Sequence, residues 1–162
     1  MDFDIKKARF DDVEDLCAVQ AAAIEAFGPS DYSENEINAW VGNIDIPHVL
    51  ETMQNEDAEI FVARCTDNFL VLGFCAIKED QITDIYVDPE YANQGIGSVL
   101  LRKAEWHIRK NGNKSVRLLS TINSIGFYEE NGYDALNTFE FEVNDNTSLK
   151  LMEMKKNLRM SA

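Results

Sequence analysis

The chain has 162 residues, of which 45% are apolar and 10% aromatic, enough for one domain that buries roughly 70% of its unfolded surface. A net charge of −14 and a pI near 4.4 repel nucleic acid and anionic membranes and favour cationic small molecules or basic peptides. No apolar run approaches the ~20 residues of a bilayer span, and MDFDIKKARF lacks the basic start and apolar stretch of a secretory signal, so a cytoplasmic protein is expected, with no nucleic-acid or membrane partner.

Residues 3–9 (FDIKKAR) read as a short strand. Asp11 and Asp12 then open a helix with Val13, Leu16, Cys17, Gln20, Ile24 and Phe27 at helical spacing, which Gly28 and Pro29 end. Ser33 and Glu36, spaced as a capping box, start a second helix with Ile37, Trp40 and Val41 as its apolar stripe. A looser helical stretch with Val49, Leu50 and Met53 follows Pro47. Residues 59–65, 69–78 and 81–87 are rich in β-branched and aromatic types and predict consecutive antiparallel strands. A helix from about Gly95 to Asn111 carries Ile96, Val99, Leu100, Ala104 and Ile108 on one face and stops at Gly112. A strand at 116–119, a short helix near 124–131, and two strands around 137–143 and 148–155 joined by NDNT complete the chain. This order predicts an α+β fold, a mixed central sheet of about seven strands flanked by about four helices, as a single domain over 1–162 with its core at about 3–156.

Cys17, Cys65 and Cys75 are odd in number and far apart, with no CxxC pair and only His48 and His107 to join them, so no metal site is expected and the thiols read as small core residues. The informative stretch is ITDIYVDPEYANQGIGSVLL, in which a strand ends at Val87, Pro89 breaks it, and Gly95 and Gly97 open a helix. Such a turn aims the amides of Gln94 to Ser98 at one point, with the positive end of the helix dipole behind them, which suits a pyrophosphate. The pattern GxxxxGK[ST] is absent and Leu100 stands where a dinucleotide fingerprint needs its third glycine. Taken alone, the segment also fits a helix that merely begins on flexible glycines.

YVDPEYANQGIGSVLL, followed by NSIGFYEENGY about 30 residues later, resembles the GNAT N-acetyltransferase superfamily over nearly the whole chain, and YSENEINAW at 32–40 resembles its YafP-like subgroup of bacterial acetyltransferases. The resemblance implies the GNAT fold, acetyl-coenzyme A (acetyl-CoA) as cosubstrate, and direct acetyl transfer to an amine acceptor, a small molecule or a peptide, through a ternary complex. It places Val87 against the pantetheine arm, Gln94, Gly95, Ile96, Gly97 and Ser98 on the pyrophosphate, and Asn123 on the coenzyme arm; without the resemblance, Asn123 reads as an N-cap. Two departures stand out: Ala92 occupies a position that is normally Gln or Arg, and Gln81 the position of the glutamate base of histone-type members. They motivate the alternative of a non-catalytic acyl-CoA-binding sensor or interaction module. A homodimer is common in the superfamily.

An amine with a pKa near 10.4 sits about 3.4 units above neutrality, so presenting its neutral form costs roughly 4.6 kcal/mol and calls for a base. An acid must also protonate the departing thiolate, and a tyrosine suits that task. By the resemblance Tyr128 holds this acid; it also reads as a packing residue between helix and sheet. Asp84 is the nearest carboxylate on the strand of Gln81, and Glu142 on the late hairpin is a second candidate base, each also readable as a solvated charge. The acceptor pocket is expected between the first two helices and the last hairpin, lined by Phe27, Tyr32, Trp40, Phe139 and Glu142, with Phe141 beside them. Aromatic rings beside carboxylates suit a cationic amine.

Overall fold

In the computed structural model, which describes residues 1–159, a seven-stranded mixed sheet carries five α-helices. Strands β1 (Phe3–Lys7), β2 (Ala58–Cys65), β3 (Val71–Lys78) and β4 (Gln81–Val87) pair antiparallel in sequence order. Beyond β4 the sheet continues through β5 (Ser115–Thr121) and β7 (Thr147–Asn157) to β6 (Asp134–Asn144) at its edge. Helices α1 (Val13–Phe27), α2 (Glu34–Gly42) and α3 (Ile46–Gln54) cover one face, while α4 (Ile96–Lys110) and α5 (Ile125–Glu130) cover the other. The looser helical stretch expected after Pro47 is α3, the fifth helix, whose Val49, Leu50 and Met53 are only half-buried.

The core follows the periodicities. In α4, Ile96, Leu100, Leu101, Ala104 and Ile108 form one buried stripe, packed on Phe61, Ala63, Cys65, Cys75 and Ile77 of the central strands. Strand β3, covered on both faces, is buried from Val71 to Ile77 and therefore reads as a continuous apolar run. The Ser33–Glu36 box forms as expected: the Glu36 amide donates to Ser33 Oγ at 3.2 Å and the Ser33 amide to Glu36 Oε1 at 2.8 Å. Cys65 and Cys75 are core residues, but Cys17 keeps partial exposure, a correction to the reading of all three thiols as buried. Among the described residues no helix is long and apolar enough to cross a membrane.

The feature that positions the site is a seam. β4 and β5 are parallel and pair only at Gln81↔Arg117 and Ile82↔Leu118. At that closed end the Arg117 guanidinium grips Asp80 with two bonds of 2.9 Å, and its amide donates to the Asp80 carbonyl at 3.0 Å. Immediately beyond, the register of β4 against β3 slips at Thr83, since Ala76 faces Asp84 while Ile77 faces Ile82. Such a bulge bends its strand and increases the local twist, and here it turns β4 away from β5. A parallel pair also needs a crossover, and α4 supplies it, so the N-terminus of α4 stands at the open end of the seam.

Candidate active site

The diverging strands enclose a cleft of about 730 Å³, walled by Thr83–Val87 of β4 and Leu118–Thr121 of β5. The backbone edge of β4 that faces β5 is unpaired beyond Ile82. At the mouth, Gly95 takes φ 84°, a left-handed conformation that a Cβ would strain, and it caps α4. The first bond of the helix runs from the Val99 amide to the Gly95 carbonyl at 3.1 Å, so the amides ahead of Val99 have no helical acceptor. Gly97 lies inside that first turn, where a Cβ would sit 3.5 Å from the Phe127 ring and 3.8 Å from Val87 Cγ2. A methyl group fits there and a larger side chain does not.

Val87, Gly95, Ile96, Gly97, Ser98 and Asn123 all line the cleft. Gln94 does not; its side chain is exposed outside the turn. Asn123 sits within the 3₁₀ turn Ile122–Ser124 and caps no helix, which corrects the N-cap reading. Ala92 lines the wall in place of a longer side chain, and neither Arg102 nor Lys103 reaches the cleft.

Deeper in, Asp84 and Tyr128 share the cleft, and of the residues lining it Asp84 alone carries a formal charge. Asp84 is half-buried, and the surface it keeps faces into the cleft. Burial consequently holds its pKa above the usual carboxylate range, opposed by the Thr83 hydroxyl and by His48. Tyr128 is buried between Phe127 and Tyr133, with ring centroids 5.1 and 5.6 Å away. Burial first, and then the charge of Asp84, push its phenol well above the ordinary tyrosine value. The Tyr86 phenol is raised by the same two causes. Asp84, Tyr86 and Tyr128 are thus one electrostatic group.

Of the expected acceptor residues, Phe27 and Trp40 line the cleft. Tyr32 does not: its hydroxyl donates to the Lys150 carbonyl at 2.6 Å and accepts the Ile122 amide at 3.0 Å, tying the turn before α2 to the far half of the sheet. It also stacks edge-on against Trp40, 5.6 Å between centroids, and so supports a residue that lines the cleft. Phe139, Phe141 and Glu142 are exposed on the edge strand β6 and do not line the cleft. The hairpin does not fold over the cleft, and register slips on both sides of Phe139 place these side chains along the free edge. Tyr86, Tyr91, Ser120 and Phe127 line the cleft and were not expected there. Tyr86 was legible in part, since it precedes the strand-end Val87 and points to the opposite face of β4.

A model of the acetyltransferase (GNAT) domain matches residues 29–158. The chain belongs to the GNAT acetyltransferase family. Among relatives, it is 28% identical to the spermidine N(1)-acetyltransferase of Thermoplasma acidophilum over 150 residues, 85% of this chain and 92% of that one. It is 32% identical over 91 residues to the uncharacterized N-acetyltransferase YafP of Escherichia coli, and this match spans 56% of the chain and 57% of YafP. A GCN5-related N-acetyltransferase structure from Rhodopseudomonas palustris superposes with a TM-score of 0.88 at 22% identity, covering 98% and 97% of the two chains, a likeness of fold. The PaiA N-acetyltransferase of T. acidophilum, solved in complex with coenzyme A, superposes with a TM-score of 0.79 at 25% identity, over 98% of this chain and all of that one. The GNAT fold and membership expected from the glycine turn are therefore established.

Proposed function

We propose that this protein, acting as one domain over residues 1–162, transfers an acetyl group from acetyl-CoA directly to the nitrogen of an amine. The observation that carries the reading is the seam. An unpaired strand edge, a glycine turn at a helix N-terminus and a tyrosine hydroxyl converge on one cavity. The coenzyme A complex of the PaiA relative supports the same cosubstrate.

The amides of Gln94 to Ser98 hold the pyrophosphate, with Asn123 and the exposed edge of β4 at Val87 along the pantetheine arm. Because no cation lines this part of the cleft among the described residues, the backbone and the helix dipole carry the binding, and Ala92 costs little. Asp84, directly or through a water, takes the proton from the attacking nitrogen as the new C–N bond forms. Burial makes it a stronger base than an ordinary carboxylate. Tyr128 gives its proton to the sulfur as the C–S bond breaks, and its raised pKa keeps it loaded throughout the neutral range. Phe27 and Trp40 flank the acceptor nitrogen with aromatic faces beside one carboxylate, an arrangement suited to a cation. The spermidine acetyltransferase relative makes polyamines the first acceptors to try.

Calorimetric titration with acetyl-CoA tests the reading, followed by thiol release with spermidine and a panel of primary amines. Micromolar binding abolished by Gly97→Trp, together with amine-dependent thiol release, is the expected result. Binding without turnover on any amine would favour a coenzyme sensor, and no binding would remove the coenzyme site.

A further inference from the structure

A second hollow, of about 630 Å³, lies between the later turns of α4 and the end of β7 and shares no residue with the cleft. Arg102 and Arg109, which line it, stand six and thirteen residues after Ile96, about 9 and about 20 Å along the helix axis from the glycine turn. The charge here inverts that of the molecule. The chain has 29 acidic and 15 basic residues, yet Arg102, Arg109, Lys156 and Arg159 line this hollow and, among the described residues, Glu105 is its one acid. Glu105 is already occupied, accepting from Lys156 Nζ at 3.1 Å and from the Tyr133 hydroxyl at 2.7 Å. Arg102 and Arg109 form no ion pair among the described residues.

Two ordinary explanations fall short. Compensation of the helix dipole accounts for a cation in the last turn of α4, such as Arg109, but Arg102 sits in the second turn, near the positive end. Nor does Arg102 or Arg109 pair with a surface carboxylate among the described residues, despite the two-to-one excess of acids. Arg102 and Arg109 are seven residues apart, so they project from one side of α4 about 10.5 Å apart along its axis. That spacing suits an extended anion and not a single point charge.

We infer that this hollow binds a small polyanion with two or three linked phosphate groups, held by Arg102, Arg109 and Arg159 around the Lys156–Glu105 pair. The site is independent of the acetyl-transfer reading. The test is a titration of the protein saturated with coenzyme A, using inorganic triphosphate in one arm and ATP in the other. A parallel series uses the Gly97→Trp variant without coenzyme, so that the glycine turn is closed either way. Binding that persists in both settings and weakens at least about tenfold in Arg102→Glu/Arg109→Glu, with an unchanged circular-dichroism spectrum, is the expected result. Tighter binding of ATP would identify a nucleotide as the source of the phosphates, and equal affinities a free polyphosphate. No binding to the wild type, equal binding to the double variant, or binding lost in both settings would overturn the inference.

Discussion

The two ends of the cleft are built from different materials. At the mouth, the glycine turn presents backbone amides from a single stretch of chain, with Gly95 in a left-handed conformation and Gly97 leaving space beside Phe127. At the inner end, Phe27, Trp40, Asp84 and Tyr128 come from four separate elements and present side chains. A site made of backbone tolerates most side-chain changes and fails only when space is filled, whereas a site made of side chains changes with each of them. Gly97→Trp is the sharpest way to break the first end. It should lower acetyl-CoA affinity by about 100-fold or more, equivalent to about 2.7 kcal/mol, while Gly97→Ala stays within about fivefold. Equal losses in the two variants, measured by calorimetry, would show that space is not what the turn provides.

Tyr128→Phe probes the inner end. General acid catalysis contributes about 10²-fold or more, but a thiolate leaves more readily than an amine, so kcat should fall by roughly 10- to 100-fold. The Kd for acetyl-CoA should not move, because the mouth is intact. Burial and the neighbouring Asp84 raise the phenol, so in the wild type no loss of rate from its ionisation should appear up to about pH 10. A drop in coenzyme affinity equal to the drop in rate would make Tyr128 a packing residue.

This division also explains what could be read in advance. The turn, the bounds of β4 and the Ser33–Glu36 box depend on neighbours within a few residues, and each appears where the local pattern places it. The inner end depends on which face a strand residue takes and how a hairpin sits, and irregularities enter into both. Asp84 shares the face of Tyr86 by plain alternation, but the bulge at Thr83 moves Ile82 to the other face with Ile85, and the slips between Ala135 and Thr138 and between Glu142 and Asn144 leave Phe139 and Glu142 on a free edge. An aromatic residue of β6 reads alike in a pocket and on an edge strand, because alternation reports which face and not what covers it.

Tyr32 and Trp40 stack on each other yet belong to different categories, and two substitutions separate them. Trp40→Ala should raise the acceptor KM by about tenfold, the loss of a partly desolvated cation–π contact, with little change in coenzyme affinity. Tyr32→Phe removes the acceptor of the Ile122 amide and the donor to the Lys150 carbonyl, so about 1–3 kcal/mol of stability should go while KM changes less than twofold. Denaturant unfolding and steady-state kinetics on both variants decide the assignment, and a KM effect as large in Tyr32→Phe would return Tyr32 to the pocket.

The smallest effect is the most specific to the inner end, because there stability and function should oppose each other at one carboxyl group. Burial raises the Asp84 pKa in the folded protein above the value of about 3.9 it has in the unfolded chain. Between those two values the native state keeps a proton that the unfolded state has released, so stability falls as pH rises through the window. Above the folded value the loss is complete and constant; below about pH 3.9 both states are protonated and the loss is absent. Asp84→Asn removes the titration, so relative to wild type it should be more stable at pH 8 and lose that advantage toward pH 4. The same substitution should abolish the rise of kcat with pH that a buried carboxylate base produces. A stability difference that is flat between pH 4 and pH 8 would mean that Asp84 is solvated like an ordinary surface carboxylate, and its claim to be the base would fall with it.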